Sequence, residues 1–541
     1  MGLRRHWSRP ISYLSAAKSV IVRTSPDDLR PLVFWPPAII LIGAVVASLI
    51  DFEGFLAIAT SAHRWVLSRV GWLFSFSAFA AVLVIGAIPL SPLGQVRIGG
   101  KDATPILTRW NWFAITLCTT IATGILFWGT AEPIMHFNGP PAFSGATIQS
   151  DSAATFSIST LFMHWAFTPY AMYTAPSLAF ALAYYNLNGR YSLSAPLKFA
   201  FGRAARGTGA SIIDALALLA LIAGVAASLG AGMMTLAGGL NVIFGLPDGA
   251  LARFFVTAAI VAAFVASSVT GVQRGIKILS DINIRLFFLF AIFVFFTAET
   301  RSILSLTTSG LIDYVSTFVP RSVLIFDPND MGWRQDWTMF YFANWAAWAP
   351  ITALFLGRIA VGYTVREFIL FTMIFPSIFG MMWMGIFGGA TISLDIASDG
   401  SLTTALKSGG PEAVMYALLQ ALPLTALTIA AFVFIVFISF VTAMDSNTHS
   451  IASVCLKTGQ QETSVSTVQE NNGSTLWIKI FWGALIGGVS WIMTATNGVD
   501  GVKMLSNLGG APGLVILLGS LIALIRFAMM RPQGLNEAGN R

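Results

Sequence analysis

Long apolar segments recur along the whole chain and constrain its fold more than any other feature. Twelve of them approach the roughly 20 residues that an α-helix needs to cross a bilayer. Of the 541 residues, 56% are hydrophobic and only 10% are charged, whereas soluble globular proteins carry about 25% charged residues. Because backbone polar groups in lipid must bond within their own segment, these runs are expected to be helical. We therefore predict an all-α polytopic membrane protein with twelve transmembrane helices.

The predicted spans define a transmembrane domain, residues 32–530, between two tails, residues 1–31 and 531–541. The spans are 32–50, 71–90, 110–130, 155–185, 211–240, 250–269, 285–299, 335–357, 366–390, 422–444, 475–496 and 511–530. With the N-terminus inside, the outward loops carry only eight of the 31 Lys and Arg residues, in agreement with the positive-inside rule. Both tails are therefore predicted to be cytoplasmic, in a bacterial inner (plasma) membrane. The net charge of +7 then reflects topology, and no nucleic-acid partner is expected.

The third predicted span carries small and hydroxyl residues near its middle, Thr120, Thr123 and Gly124. Such residues allow close helix packing. They also allow an unwound stretch whose backbone groups bind a substrate or an ion, and the residues alone leave both interpretations open. The pair Glu132-Pro133 follows, and we expect it to end the helix at the outer surface rather than to bind a ligand.

Aromatic residues of the fourth and eighth spans could converge on one site. In the fourth span, Trp165, Tyr170 and Tyr173 surround a proline that should kink the helix and turn the rings to one side. In the eighth span, Trp345 and Trp348 share a helix face ahead of another proline. Lipid contact and helix packing are the alternatives. If the rings converge, they form a cage for a quaternary ammonium group, which is held by cation–π attraction.

Polar side chains elsewhere favour an ion site or a structural role. Ser439 and Thr442 share a face of the tenth span and could supply oxygen ligands for sodium, although membrane hydroxyls usually bond back to their own helix. We expect His164 to be a hydrogen-bonded structural histidine. The five histidines form no ligand-spaced pair, and no nucleophile–base motif is evident. Neither an enzyme nor a metal site beyond sodium is therefore predicted.

Several stretches of the chain resemble the betaine/choline/carnitine transporter family, and the resemblance covers nearly the whole chain. The matching stretches are FWGTAEP (127–133), HWAFTPYAMY (164–173), DWTMFYFANWAAWAP (336–350), GRIAVGYTVREF (357–368) and VTAMDS (441–446). The resemblance implies an amino-acid-transporter fold of two inverted five-helix repeats, about 110–299 and 335–530, with two additional N-terminal helices. It also implies a homotrimer that moves trimethylammonium compounds by alternating access, with sodium or protons or by exchange.

The resemblance also assigns roles to individual residues. It places Trp165, Tyr170, Tyr173 and Trp345 in the cage, and Trp348 on the route toward the cytoplasm. Two cage positions depart from the family pattern. Asn344 stands where the family usually has a tryptophan, and Tyr170 stands where it usually has a second one. The predicted cage is therefore more polar than usual, and Asn344 could bind a hydroxyl, amide or sulfonate group of the substrate.

The ion sites that the resemblance implies are also altered. Next to Thr442, Ala443 replaces one of two adjacent hydroxyls, and Leu221 and Val225 stand where the second sodium site has threonines. Arg285 lies near the position where sodium-independent relatives carry a fixed positive charge. An intramembrane arginine is costly and is a functional candidate, but a snorkelling arginine at the cytoplasmic interface is an equal alternative.

These observations together predict a secondary transporter for a small zwitterionic quaternary ammonium solute, betaine- or carnitine-like. No carboxylate stands at Gly124 or nearby to balance a bare cation, which disfavours choline. The alternatives are another small zwitterion, a sulfonium or sulfonate compound, which Asn344 favours, and substrate exchange without sodium. No cofactor is predicted, and sodium and proton coupling both stay open.

Overall fold

The computed structural model describes residues 28–121, 124–270, 273–323, 330–457, 473–530 and 535, and nearly all of this chain is helical. The first half contains eleven helices: α1 (Pro31–Ile50), α2 (Phe52–Ala87), α3 (Arg109–Ile121), α4 (Gly124–Asn138), α5 (Asp151–Trp165), α6 (Phe167–Ala181), α7 (Ser194–Phe201), α8 (Thr208–Phe244), α9 (Ala250–Thr270), α10 (Gln273–Thr297) and α11 (Thr300–Val323).

The second half contains the remaining eight helices. They are α12 (Met331–Arg334), α13 (Phe340–Arg358), α14 (Val365–Ile369), α15 (Phe375–Ala397), α16 (Ser401–Gly409), α17 (Pro411–Gln420), α18 (Thr425–Cys455) and α19 (Gly473–Met529). A π-helical turn, Gln335–Met339, joins α12 to α13. The last helix is two spans joined at Gly498, whose φ of 50° lies in the left-handed region that favours glycine.

Eight helices of the described chain are long and apolar enough to cross a membrane, or nine if the bent pair α10–α11 is one span. This count is lower than the twelve predicted spans for identifiable reasons. The third predicted span includes residues 122–123, which lie outside the described residues, and the fourth breaks into two helices of 15 residues each. The apolar part of α9, Ala250–Ala266, is a shorter helix. The multi-pass helical architecture itself is confirmed.

The fourth predicted span breaks where its sequence requires it. The break falls at Ala166, with φ −102° and ψ −119°, between α5 and α6. Pro169 follows in the first turn of α6, and it has no backbone N–H to give to the carbonyl of Trp165, four residues earlier. The break therefore leaves carbonyl groups at the end of α5 open to other donors.

Helix α19 packs tightly against α13 because small residues line their contact. An added Cβ at Gly513 would lie 2.1 Å from the carbonyl oxygen of Ala346, and one at Gly510 would lie 2.6 Å from that of Ala343. Close backbone approach of this kind is how helices associate in lipid, where no hydrophobic force drives them together. This contact fixes α13, and with it the aromatic residues of the eighth predicted span.

The start of the described chain is tied to the ends of two other helices. Arg30 forms an ion pair with the buried Asp214 of α8 and donates to the carbonyl of Val454 in α18. Leu29 and Leu456 form an isolated antiparallel bridge. The segment before α1 is therefore attached to the helical body. Helix α11 follows α10 across a bend of 110°.

Candidate functional site

A small cavity lies among α3, α4, α5, α6, α8, α13 and α19, and aromatic rings form most of its wall. The rings are Trp128, Trp165, Tyr173, Phe340, Trp345 and Trp348, and the polar lining residues are Thr120, Ser228 and Asn344. The free space is about 30 Å³, which is room for little more than a water molecule. A trimethylammonium compound would therefore have to separate the rings to enter.

The rings meet one another edge to face. The centroids of Trp165 and Trp345 are 4.9 Å apart with an interplanar angle of 78°, and those of Tyr173 and Trp345 are 5.9 Å apart at 89°. Tyr341 stacks above Trp345 at 6.1 Å, as the four-residue spacing requires on one helix face. Rings in this arrangement present their electron-rich faces from different directions, which suits a compact cation.

The helix break holds Trp345 in place. Its indole Nε1–H donates to the backbone carbonyl of His164 at 3.0 Å, one of the carbonyls that the break at Ala166 leaves without a helical partner. The same break ends α5 at Trp165 and starts α6, which carries Tyr173. The unusual backbone of the fourth span thus positions three rings of the cavity.

Glu132 does not end its helix at the outer surface, contrary to the expectation from the Glu132-Pro133 pair. Helix α4 continues to Asn138, and Glu132 is fully buried. Its Oε2 accepts hydrogen bonds from Trp165 Nε1 at 2.8 Å and from the Tyr341 hydroxyl at 2.6 Å. A carboxylate that is removed from water must be paired or hydrogen-bonded, and here two aromatic residues supply part of that bonding.

Two imidazoles bond the other oxygen of the same carboxylate. His164 Nδ1 lies 2.6 Å and His136 Nε2 lies 3.2 Å from Glu132 Oε1. His164 also bonds the Thr338 hydroxyl through Nε2 at 3.1 Å, so the expected hydrogen-bonded histidine is confirmed. We call Glu132, His136 and His164 the acid–imidazole cluster. Its ligand atoms lie within 4.8 Å of one another, but the 2.6 Å between His164 Nδ1 and Glu132 Oε1 is a hydrogen-bond distance, shorter than the roughly 3.4 Å between two ligands of a tetrahedral metal at about 2.1 Å. The cluster is a hydrogen-bonded one.

The signal for this cluster was present in the sequence. Glu132 and His136 are four residues apart and so share one face of α4. An ionisable residue inside an apolar span is a functional candidate by default. The proline after Glu132 suggested a helix end instead, but a proline is tolerated inside a membrane helix when neighbouring groups satisfy the freed carbonyl.

Comparison with known proteins decides the family. The sequence profile described as "BCCT, betaine/carnitine/choline family transporter" matches residues 32–533. The chain belongs to the betaine/carnitine/choline transporter family. It is a multi-pass membrane transporter, not an enzyme.

Two curated relatives illustrate the breadth of this transporter family. A "Probable glycine betaine transporter" of Desulfitobacterium hafniense is 28% identical over 470 residues, 87% of this chain and 91% of the relative. An "Ectoine/hydroxyectoine transporter" of Virgibacillus pantothenticus is 27% identical over 512 residues, 95% of this chain and 98% of the relative. Among solved structures, a sodium-coupled sialic acid symporter matches with 14% identity and a TM-score of 0.47, covering 85% of this chain and 86% of that one.

Asn344 lines the cavity of the transporter with its amide. The Ser506 hydroxyl lies 3.0 Å from Asn344 Oδ1, so this bond orients the amide oxygen toward α19. The Nδ2 group has no hydrogen-bond partner in the described part of the chain. Asn344 is therefore placed to offer N–H donors to a solute in the cavity.

The structure brings most of the predicted cage residues together but separates Tyr170 from them. Trp165, Tyr173, Trp345 and Trp348 all line the cavity. Tyr170 is buried, with its ring 6.3 Å from that of Tyr173, and does not line it. Three aromatic or polar lining residues were not predicted from the sequence, Trp128, Phe340 and Ser228, nor were the apolar lining residues Ala227, Ala231 and Val502.

In the third predicted span, Thr120 and Gly124 line the cavity of the transporter. An added Cβ at Gly124 would lie 3.0 Å from Trp165 Cη2, so the absence of a side chain there lets that ring approach α4. The Thr120 hydroxyl donates to the carbonyl of Thr116 within α3. Thr123 lies outside the described residues.

The predicted ion-coupling residues lie apart from the cavity of the transporter. Thr442 Oγ1 lies within hydrogen-bond distance of the carbonyls of Ile438 and Ser439 in its own helix. The Ser439 hydroxyl accepts from Asn283 Nδ2 at 2.9 Å. Arg285 pairs with Asp281 at 2.7 Å, and its side chain is 71% exposed. Each of these side chains therefore bonds to a group outside the cavity.

Proposed function

We propose that the protein is a secondary active transporter for a small zwitterionic quaternary ammonium solute, betaine- or carnitine-like. The solute is carried across the bacterial inner membrane by alternating access, with its cationic end held among the rings of the cavity. The protein works as a homotrimer with both termini in the cytoplasm and with two inverted five-helix repeats. Membership of the family supports this proposal, and the cavity supplies its physical basis.

The observation that carries the proposal is the edge-to-face group formed by Trp165, Tyr173 and Trp345 at the break in the fourth span. A quaternary ammonium group has no N–H to donate, so hydrogen-bond acceptors cannot hold it. Aromatic faces can, and each ring contributes about 0.5–2 kcal/mol depending on how far it is removed from water.

Glu132 strengthens this interpretation. It accepts hydrogen bonds from Trp165 and Tyr341, and bonds from an aromatic N–H or O–H to an anion make the ring more electron-rich. The carboxylate also places a negative charge next to the rings in a medium of low dielectric constant, where charges act strongly. The cavity is therefore suited to a positively charged group, although Glu132 itself does not line it.

Asn344 supports a solute that also carries an anionic end. With Oδ1 engaged by Ser506, its Nδ2 group can donate to a carboxylate or a sulfonate. The second candidate is therefore another small zwitterion: a sulfonium compound, which changes the cationic group, or a sulfonate compound, which changes the anionic end. Exchange of one such solute for another, without sodium, is a further variant of the same function, because the predicted sodium-site hydroxyls are reduced in number.

Uptake by bacteria that lack their own transporters tests the proposal. Cells producing the protein should accumulate labelled glycine betaine or carnitine, and a Trp345→Leu variant produced at the same level should not. Trp65→Leu is the matched control, because the Trp65 side chain is 62% exposed on α2 and lies outside the cavity. Uptake of a sulfonium or sulfonate zwitterion in place of both compounds would favour the second candidate. If none of these compounds is taken up, the proposal that the aromatic rings bind a small zwitterion for transport is refuted.

A further inference from the structure

The acid–imidazole cluster has one nitrogen atom that the substrate cage does not use. His136 is fully buried in α4, and its Nε2 bonds Glu132 Oε1. Its other nitrogen, Nδ1, has no hydrogen-bond partner in the described chain. Because the carboxylate is an acceptor, the neutral ring carries its proton on Nε2 and leaves a lone pair on Nδ1. An unsatisfied buried basic nitrogen next to a carboxylate calls for an explanation.

Aromatic rings surround the free nitrogen. The His136 ring lies 4.4 Å from the Trp337 ring and 5.2 Å from the Trp333 ring, measured between centroids. Trp333 belongs to α12 and is only half-buried, so this side of the ring is near the protein surface. A protonated imidazole here would lie beside Glu132 and pack against two indole rings, which favour a cation, whereas its burial opposes one.

Other charges also act on the cluster from the helices around it. Arg321 of α11 donates to Ser159 and Thr160 of α5 and stands 5.0 Å over the Phe156 ring. Lys503 of α19 stands 4.6 Å over the Trp337 ring. These cations oppose a proton on His136, whereas Glu132, at 3.2 Å, favours it.

The remaining charged groups near α4 are already engaged. Arg334 of α12 stands over the Phe143 ring. Asp395 of α15 is bonded by Thr403 of α16, and Glu412 of α17 pairs with Arg253. The charges that act most on His136 are therefore Glu132, which favours a proton on the ring, and Arg321 and a charged His164, which oppose one.

We propose that the acid–imidazole cluster is a proton-binding site whose occupation opposes binding of the cationic solute in the cage. A proton from water adds to His136 Nδ1, the Nε2–H bond to Glu132 is kept, and the imidazolium neutralises the carboxylate. Trp165 and Tyr341 then bond a neutralised acid–base pair, and the rings lose the negative charge that favours a cation. The inference rests on the proposed function, because it assigns a regulator to the same cage.

Linkage fixes the sign of the effect. If a proton weakens solute binding, solute binding must weaken proton binding by the same factor. Solute binding therefore expels a proton, and the affinity for solute falls as the pH falls. Coupling between sites in proteins is typically on the order of 5- to 150-fold. We expect the dissociation constant for solute to change about tenfold between full protonation and full deprotonation of the cluster.

The test uses the purified full-length protein in lipid nanodiscs. The dissociation constant for glycine betaine, whose own ionisation is constant over this range, is measured between pH 3.5 and 8.5, together with protons released on binding. The wild type should bind about tenfold more weakly at the acid end and should release protons near the midpoint. In His136→Gln the dependence on pH should flatten. His63→Gln, which alters a histidine that contacts Asn507, should keep the wild-type profile.

A second measurement separates failure of the proton site from failure of the proposed function. Tryptophan fluorescence of the solute-free protein should show a step with pH, because an imidazolium quenches Trp333 and Trp337, and His136→Gln should remove it. If no solute binds at any pH but this step is present, the proposed function fails and the proton site stands. Binding that is independent of pH, that tightens in acid, or that keeps its pH dependence in His136→Gln would overturn the proton site. If His136→Gln does not fold, proton release by the wild type on solute binding is the test. Release supports the proton site, and its absence overturns it.

Discussion

Trp345 of α13 donates its indole N–H to the backbone carbonyl of His164 at the end of α5. A side chain that forms the cage thus also satisfies a carbonyl freed by the break in the fourth span. Ring position and backbone irregularity depend on each other, because neither would be stable alone.

Replacement of Trp345 should separate the role of its ring from that of its N–H. Trp345→Leu removes both and should weaken glycine betaine binding by about 2–3 kcal/mol, or 30- to 150-fold. Trp345→Phe keeps a ring but leaves the His164 carbonyl unbonded, and should lose about tenfold. Isothermal titration of the purified variants measures both values. Equal affinities for the two variants would mean that the ring itself contributes nothing.

Glu132→Gln should reduce both stability and solute affinity. Four donors converge on the carboxylate, and an amide offers only one acceptor oxygen, so at least one buried N–H or O–H loses its partner at a cost of about 1–3 kcal/mol. A thermal unfolding assay should show a lower midpoint, and glycine betaine binding should weaken. Glu53→Gln is the matched control, because Glu53 is exposed in the first turn of α2. A normal midpoint for Glu132→Gln would show that the carboxylate is not needed for packing.

Asn344→Asp should change the charge preference of the cavity. The aspartate keeps the shape of the side chain but replaces the Nδ2 donor with a negative charge. A zwitterion would then lose a donor for its anionic end and meet repulsion, whereas a bare cation such as choline would gain a partner. We expect the ratio of choline to betaine affinity to rise by at least about tenfold, because the change is comparable to the loss of one charge-assisted hydrogen bond. Competition against labelled betaine measures the ratio, and an unchanged ratio would place the anionic end of the solute elsewhere.

Gly513→Ala should disturb the contact between α19 and α13. The new Cβ would lie 2.1 Å from the carbonyl oxygen of Ala346, so one backbone must shift, at a cost of about 1–3 kcal/mol. The unfolding midpoint and the uptake rate should both fall. Gly488→Ala provides the control in the same helix, because nothing lies within 4 Å of its added Cβ. Equal unfolding midpoints and uptake rates for the two variants would show that the contact between α19 and α13 accommodates a methyl group at Gly513.

Uptake should depend little on sodium. Thr442 bonds carbonyls of its own helix, Ser439 bonds Asn283, and the positions predicted for the second sodium site hold Leu221 and Val225. Thr442→Val should therefore leave the sodium response of uptake nearly unchanged. Uptake by membrane vesicles with and without an imposed sodium gradient measures this, and strong accumulation driven by sodium would show that the site assembles from other groups.

Much of the architecture followed from the sequence because apolar runs, prolines and positive charges act locally. The kink near Pro169 and the shared face of Trp345 and Trp348 were predicted from the sequence. The fourth span breaks at Ala166, and both tryptophans line the cavity. Exact helix counts were harder, because the fourth predicted span breaks into two helices of 15 residues each.

Relationships across helices could not be predicted in the same way. Tyr170 and Tyr173 are three residues apart, and their spacing did not reveal that only Tyr173 reaches the cavity. The proline after Glu132 indicated a surface, whereas tertiary contacts from α5 and α13 make that position fully buried. Four donors from three helices surround the Glu132 carboxylate. The only one of them that local sequence spacing indicates is His136, one helical turn away.

Glu132 has one further consequence for the speed of transport. Its partners lie on α4, α5 and α13, and the predicted repeats assign the first two to one half of the protein and the third to the other. A movement that separates the two halves at this point would break several hydrogen bonds to one buried carboxylate at the same time. Such a step has a high activation enthalpy, so the transport rate should rise steeply with temperature even where the affinity for solute changes little.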